Sequence, residues 1–209
     1  MTAPVRMLRY WDNRYRKQRL HTVEHCDTPQ GETEQATLLV HGVLDRLAKY
    51  FTGRKVLDFG CGWGRNIGKI VALGTREVYG ADVNVWALTQ AWNRHPSGTF
   101  VRLDPDGNLP FRDEMFDTVL SWTVLQHVPP EEIAATCSEL QRVLKRRTGF
   151  VVLAENVTDT EDRDHIWFRS KELYRKLFAG WHLVFHERLT TLDCRNEPHQ
   201  LLVLRRPQA

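Results

Sequence analysis

Apolar and polar positions along the chain alternate between two spacings, one typical of buried strands and one of helices with a single apolar face. Short apolar runs bounded by glycine or polar residues predict strands at 55–60, 77–83, 99–103, 116–123 and 149–156. Helical spacing is found at 36–51, 66–74, 85–94 and 130–146. This alternation predicts an α/β fold in which a doubly wound, mostly parallel sheet is covered by helices on both faces.

The last part of the chain follows a different pattern. A helix predicted at 170–178 precedes two strand-like runs, 181–189 and 199–206. The gap of about ten residues between these runs is too short for a helical crossover, so the two strands should pair antiparallel. We therefore expect seven strands in all, with an antiparallel hairpin at the C-terminal edge of the sheet.

Length and composition are those of one globular domain spanning residues 1–209, with 42% hydrophobic residues. No apolar run approaches the length of a membrane span, and the N-terminal residues lack a secretory signal, so we expect a cytoplasmic protein. The net charge of +3 does not favour nucleic acid as a partner. Four scattered cysteines form no CxxC pair, which predicts free thiols and no metal site.

Three glycines follow the first predicted strand in the stretch VLDFGCGWG, at Gly60, Gly62 and Gly64. A glycine-rich turn in this position lets the backbone approach a ligand at the carboxyl edge of the sheet. Arg65 stands where the dinucleotide pattern GxGxxG needs its third glycine. Asp82 ends the second strand, at the distance expected of an acid that binds a ribose diol.

A third block, NLPFRDEMFDTVLSWTVLQHVP at 108–129, follows these two motifs. Together the three resemble the class I methyltransferases that use S-adenosylmethionine (SAM), especially the small-molecule, methyltransferase type 11-like subgroup. The resemblance covers Val56 to Glu155. It implies a Rossmann-like sheet, with a SAM-binding core at 51–155, an N-terminal helical lid at 1–50 and a substrate-side segment at 156–209.

The resemblance also implies which residues bind the cofactor. Asp58, Gly60 and Gly62 would lie along the methionine part of SAM, Asp82 would bind the ribose hydroxyls, and Val83 would pack on the adenine. Asp104 or Asp106 would receive the adenine amino group, with Asp104 favoured because it directly follows the third strand. Arg14, or else Arg65, could bind the SAM carboxylate. Trp122 is one of four tryptophans beside the motifs that could face the sulfonium.

Methyl transfer to a hydroxyl needs a base, because a proton leaves as the new bond forms. His127 follows the fourth predicted strand and is the first candidate, although a purely structural histidine fits the same position. Glu155 and His165 are the alternatives.

The expected function is methyl transfer from SAM to a small molecule, most simply at oxygen. Three other functions stay open: an RNA or protein methyltransferase that uses the basic N-terminal segment, an NAD-dependent oxidoreductase, and a catalytically silent SAM-binding subunit. The sequence does not indicate an oligomeric state.

Overall fold

The computed structural model describes residue 11 and residues 30–104, 108–158, 161–162, 165–189 and 199–207, with only the backbone for 30–36. Arg14, Asp106 and, apart from Trp11, the basic N-terminal segment expected to form a lid lie outside these residues. The chain forms two compact units, Met1–Asp106 and Gly107–Ala209. The single-domain organisation stays a prediction.

The first unit alternates helices with parallel strands. Its elements are α1 (Gln30–Arg46), a 3₁₀ turn (Ala48–Tyr50), β1 (Lys55–Phe59), α2 (Ile67–Ala72), β2 (Glu77–Asp82), α3 (Val85–Arg94) and β3 (Thr99–Arg102). β2 pairs in parallel with both β1 and β3. The side chain of Asn84 accepts the Ala87 N–H, and so caps the start of α3 directly after β2.

The second unit contains the remaining strands. Its elements are β4 (Thr118–Trp122), a 3₁₀ turn (Leu125–His127), α4 (Ile133–Val143), β5 (Phe150–Asn156), α5 (Lys171–Leu177), β6 (His182–Arg188) and β7 (His199–Arg205). β4 and β5 are parallel, whereas β7 is antiparallel to both β5 and β6.

The seven strands form one sheet in the order β3-β2-β1-β4-β5-β7-β6, which confirms the predicted mixed, mostly parallel fold. The order of the last two strands was not predicted: β7 lies between β5 and β6. β7 is buried over most of its length, whereas β6 is largely exposed. The apolar strand therefore occupies the inner position and the more polar strand forms the edge.

Each unit contains one described cysteine in its interior. Cys61 lies in the loop after β1 and Cys137 lies on α4, and both are free thiols. Burial raises the pKa of Cys61 well above its usual value and raises that of Cys137 to about 12. No helix in the described part of the chain is long and apolar enough to cross a membrane.

Candidate active site

The loop between β1 and α2 turns sharply at its glycines. Gly60, Gly62 and Gly64 have φ angles of 71°, 53° and 83°, which residues other than glycine rarely adopt. The loop is tied to β2, because the N–H groups of Gly60 and Cys61 both donate to the Ala81 carbonyl, at 2.7 and 3.0 Å. Its backbone is thus held at the carboxyl end of the first two strands.

Asp82 ends β2 and contacts this loop. Its Oδ2 accepts the Gly62 N–H at 2.8 Å, and its Oδ1 accepts the Asn84 N–H at 2.9 Å. Burial raises the pKa of Asp82, and backbone N–H donors, among them those of Asn84 and Gly62, oppose the shift. A carboxylate oxygen has more than one acceptor site, so Asp82 can also receive hydroxyl donors.

Asp58 lies in β1 and is 1% exposed. Its Oδ2 is buried and has no hydrogen-bond partner among the described residues. Burial raises the pKa of Asp58 to about 7, even though Arg65 lowers it, and the nearby charge of Asp82 adds to the rise. An oxygen in this state favours a cationic or donor ligand.

The third glycine of the loop has a packing role that the sequence did not reveal. A Cβ at Gly64 would lie 3.0 Å from His95 Cδ2 and 3.1 Å from Ala91 Cβ. The same imidazole would lie 3.0 Å from a Cβ at Gly68, in α2. His95 therefore packs against both the loop and α2, and Gly64, misplaced for a dinucleotide loop, is required for this contact.

The other predicted cofactor residues are placed as follows. Val83 is half-buried directly after Asp82, and Asp104 is exposed after β3. Trp122 is buried at the end of β4, in the second unit. The binding roles of these residues stay predictions.

His127 belongs to the 3₁₀ turn that follows β4 and is 5% exposed. Its Nδ1 lies 2.7 Å from the His165 carbonyl oxygen, and its Nε2 lies 3.4 Å from Gln126 Nε2. A carbonyl oxygen can only accept, so Nδ1 carries the proton and the neutral ring has its lone pair on Nε2. This is the tautomer that a base acting through Nε2 needs.

His165 contacts His127 through its backbone. Its φ of 62° is rare for a residue other than glycine, and the carbonyl of this residue accepts from His127. The catalytic role predicted for the His165 imidazole stays a prediction. Asp162, in the same loop, accepts the Phe168 N–H at 2.8 Å. No group of three or more metal-binding side chains occurs among the described residues.

Glu155 is completely buried near the end of β5. Its Oε1 accepts the Ser121 hydroxyl at 2.7 Å and the N–H groups of Val124 and Leu125 at 3.2 and 3.1 Å. Its Oε2 accepts the Gln126 N–H at 3.3 Å. Burial raises the pKa of Glu155 to about 7, and these donors limit the rise. No sequence motif indicated Ser121 or Gln126, because most of these bonds involve the backbone.

Comparison with known proteins is consistent with this geometry. A family model described as a methyltransferase domain matches residues 56–147. A sterol 24-C-methyltransferase of Gibberella zeae is 28% identical over 175 residues, which cover 70% of this chain and 44% of that protein. Sterol methyltransferase-like 2 of Botryococcus braunii is 29% identical and matches 61% of this chain and 33% of its own length. The chain thus spans less than half the length of these curated relatives.

Solved structures share the fold. Magnesium protoporphyrin IX methyltransferase from Synechocystis, with bound SAM, has a TM-score of 0.73 and 19% identity, covering 99% of this chain and 98% of that one. The [4+2]-cyclase SpnF has a TM-score of 0.69 and 18% identity, covering 81% and 82%. At these identities the likeness concerns the fold.

Proposed function

Since residues 56–147 match a methyltransferase-domain model, we propose that this chain is a class I SAM-dependent methyltransferase and that it transfers the methyl group of SAM to an oxygen of a small-molecule acceptor. The match at residues 56–147 supports the family expected from the motifs, and with it the cofactor. The acceptor and the methylated atom belong to the proposal.

The geometry of Asp82 is the main support for SAM binding. Backbone N–H groups hold both of its carboxylate oxygens, with Gly62 at 2.8 Å and Asn84 at 2.9 Å. Preorganised in this way, the carboxylate is suited to two neighbouring hydroxyls, such as those of a ribose. No pyrophosphate has to be bound in SAM, so a loop without the dinucleotide pattern suffices.

Asp58 supports the same assignment at the other end of the cofactor. Its unpartnered, buried Oδ2 would be satisfied by the ammonium group of SAM. SAM supplies a methyl group activated by its sulfonium. The loop at Gly60 and Gly62 would lie along the methionine part.

A small-molecule acceptor is supported by the names of similar proteins. The sequence relatives are named for sterols and a structural neighbour for a porphyrin. The methylated atom differs between methyltransferases, since the Gibberella zeae relative is named for carbon. Oxygen is proposed because of His127, whose ring carries its lone pair on Nε2, where it now accepts from the Gln126 side-chain amide and would take the hydroxyl proton in its place.

Binding calorimetry tests the role of Asp82. We expect the protein to bind SAM and S-adenosylhomocysteine, and Asp82→Asn to weaken both by roughly 30-fold, the equivalent of about 2 kcal/mol for a lost charge-assisted contact. Glu77→Gln, at the other end of β2, is the matched control and should leave the affinities unchanged. Equal affinity of wild type and Asp82→Asn would refute the assignment, and tight binding of NAD would favour the oxidoreductase.

Transfer of a labelled methyl group identifies the acceptor. The first compounds to test are sterols, porphyrins and simpler phenols and carboxylic acids, with RNA and protein extracts as separate arms. We expect label in a small molecule, bound through oxygen and lost on the appropriate hydrolysis or demethylation. Label found only in RNA or protein would contradict the small-molecule proposal, and binding without any transfer would favour the silent subunit.

A further inference from the structure

The segment 123–128, called the β4 turn below, follows β4 in a strained conformation. Thr123 has a φ of 54°, which is costly for a β-branched residue. Its N–H donates to the Ala154 carbonyl at 2.7 Å, next to Glu155 in β5. A strained backbone persists only where the surrounding structure holds it, so the contacts of this turn need explanation.

Glu155 binds the N–H groups at the start of the turn. Three consecutive N–H groups, those of Val124, Leu125 and Gln126, point at one carboxylate that is 0% exposed. These donors belong to the start of a single 3₁₀ turn, Leu125–His127 with Val124 before it, where the first N–H groups have no partner within the turn. A carboxylate at this end is also stabilising, because its negative charge attracts the partial positive charge of the N–H groups.

Arg169 binds the carbonyl groups at the other end. It is 3% exposed, and its guanidinium donates to the carbonyls of Leu125, at 2.7 Å, and Val128. It also donates to the Trp167 carbonyl at 3.0 Å. The Glu155 carboxylate thus binds N–H groups of the turn, and the Arg169 guanidinium binds its carbonyl groups.

His127 lies between these two anchors. The Gln126 side chain accepts the Asn156 N–H at 3.1 Å through its oxygen, which ties the neighbouring residue to the end of β5. His127 Nδ1 is bound by the His165 carbonyl, and the N–H of Trp167 donates to the Gln126 carbonyl at 2.8 Å. The position of the imidazole therefore depends on the backbone of the turn on one side and of residues 165–169 on the other.

We propose that Glu155 and Arg169 are positioning residues that together hold the β4 turn, and with it the His127 imidazole, in one orientation and one tautomer. The inference rests on the proposed function, in which His127 Nε2 accepts the acceptor's hydroxyl proton. In this proposal Glu155 has a positioning role and is not the base, because its two oxygens receive four hydrogen bonds from its own chain and the residue is completely buried.

The first test reads the tautomer and does not depend on activity. In ¹⁵N-histidine-labelled protein we expect His127 to be protonated at Nδ1 near pH 8. Glu155→Gln and Arg169→Lys should each produce a mixture of tautomers or an exchange-broadened signal, since each loosens one end of the turn. Glu131→Gln and Arg147→Lys, at exposed positions, are the matched controls. An unchanged Nδ1-protonated signal in both variants would overturn the proposal.

The second test separates positioning from base catalysis. With an oxygen acceptor in hand, Glu155→Gln and Arg169→Lys should lower kcat by roughly 10- to 100-fold, as expected for a displaced catalytic group, while the Kd for SAM stays unchanged. The rise of kcat with pH that follows histidine deprotonation should persist in both variants. Loss of that rise in Glu155→Gln alone would identify Glu155 as the base and refute the positioning role.

Ser121→Ala provides a milder variant in case the others fold poorly. It removes one hydrogen bond to Glu155 and leaves the three backbone donors in place. We expect a smaller loss of kcat with a normal SAM affinity and a partial change of the tautomer signal. If His127→Ala retains full activity, the oxygen proposal fails, but the tautomer measurement still decides whether Glu155 and Arg169 hold the turn.

Discussion

Asp58 shows how a single residue can favour ligand binding at the expense of stability. Its carboxyl group is buried in β1 with one unpartnered oxygen, and its pKa is raised to about 7. Ionisation is therefore disfavoured in the folded protein relative to the unfolded chain. Above about pH 7 the ionised carboxylate destabilises the ligand-free fold, and in the same pH range it would bind a cationic group of a ligand.

Replacing Asp58 by Asn should remove this pH dependence. Because the folded pKa of about 7 lies above the usual value of 3.8, the wild type loses stability as pH rises from about 4 through 7. Asn does not titrate, so urea unfolding should show the stability of Asp58→Asn rising relative to wild type over that range, by on the order of 4 kcal/mol at pH 8. SAM affinity should fall at the same time.

Glu131→Gln, at an exposed position, is the control for the Asp58 measurement and should follow the wild-type curve. A difference between Asp58→Asn and wild type that stays constant from pH 4 to pH 8 would contradict the buried, ionisable state of Asp58.

Gly80, in the middle of β2, is required by its neighbours. A Cβ there would lie 2.7 Å from Phe100 Cδ1 and 2.8 Å from Cys61 Sγ. Gly80→Ala should therefore destabilise the protein by about 1–3 kcal/mol through overpacking. Gly42→Ala is the matched control: nothing lies within 4 Å of a Cβ in that position of α1. It should stabilise the helix by about 0.5–1 kcal/mol. Equal midpoints for both variants in urea would refute the steric argument.

Among the elements, α4 fixes the loop at 109–111. Glu139 and Arg142 form an ion pair on this helix at 2.7 Å. The Leu109 N–H donates to Glu139 at 2.9 Å, while Arg142 donates to the carbonyls of Leu109 and Phe111 at 3.0 and 2.8 Å. One side chain thus binds a donor of the loop and the other binds two of its acceptors. This gives the NLPF part of the third motif a structural role.

Loss of this arrangement should loosen the loop specifically. Glu139→Gln is expected to speed hydrogen exchange at Leu109 and to leave exchange within β4 unchanged. The bond to Arg142 lowers the pKa of Glu139, so its stabilisation is present above about pH 4.5 and is lost as pH falls through the folded value. Exchange differences between wild type and Glu139→Gln should shrink as the pH falls through that lowered pKa. Glu131→Gln, just before α4, is the control, and faster exchange throughout the unit would argue against a local role.

The sequence predicted where the strands lie along the chain, but it did not predict the full order of the strands in the sheet. Strand and helix spacing located every strand within one or two residues, because burial imposes a period on the sequence. The insertion of β7 between β5 and β6 was not predicted, since an antiparallel pair satisfies the same pattern in either order. The greater burial of β7, the more apolar of the two, distinguishes the inner strand from the edge strand.

In the whole molecule, the places of the glycine loop and of Asp82 were predictable, whereas the contacts that support them were not; their roles toward a ligand stay predictions. Gly60, Gly62 and Asp82 follow strand ends, where chemistry and spacing identify them together. Glu155, an alternative candidate for the base, binds backbone N–H groups, which every residue type except proline provides, so the sequence did not reveal these contacts. The packing of His95 against Gly64 joins positions separated by two helices and a strand, which local pattern cannot detect.

The two buried thiols offer a measure of how the units open. Alkylation needs a thiolate in contact with solvent, and burial suppresses ionisation of both Cys61 and Cys137. Each cysteine should therefore react only when the unit around it opens. Cys61 lies in the first unit and Cys137 in the second, so the alkylation rate of each thiol reports how often its own unit opens.

Peptide-resolved mass spectrometry of native protein treated with N-ethylmaleimide measures the alkylation rates of Cys61 and Cys137 in one sample. If the chain opens as one cooperative domain, as its sequence predicts, the protection of Cys61 and that of Cys137, each relative to the urea-unfolded chain, should be equal. S-adenosylhomocysteine should then increase both by the same factor, because a ligand of the native state suppresses every opening that releases it. A ligand effect on Cys61 alone would mean that the second unit opens independently, and that substitutions there can be tolerated without loss of the cofactor.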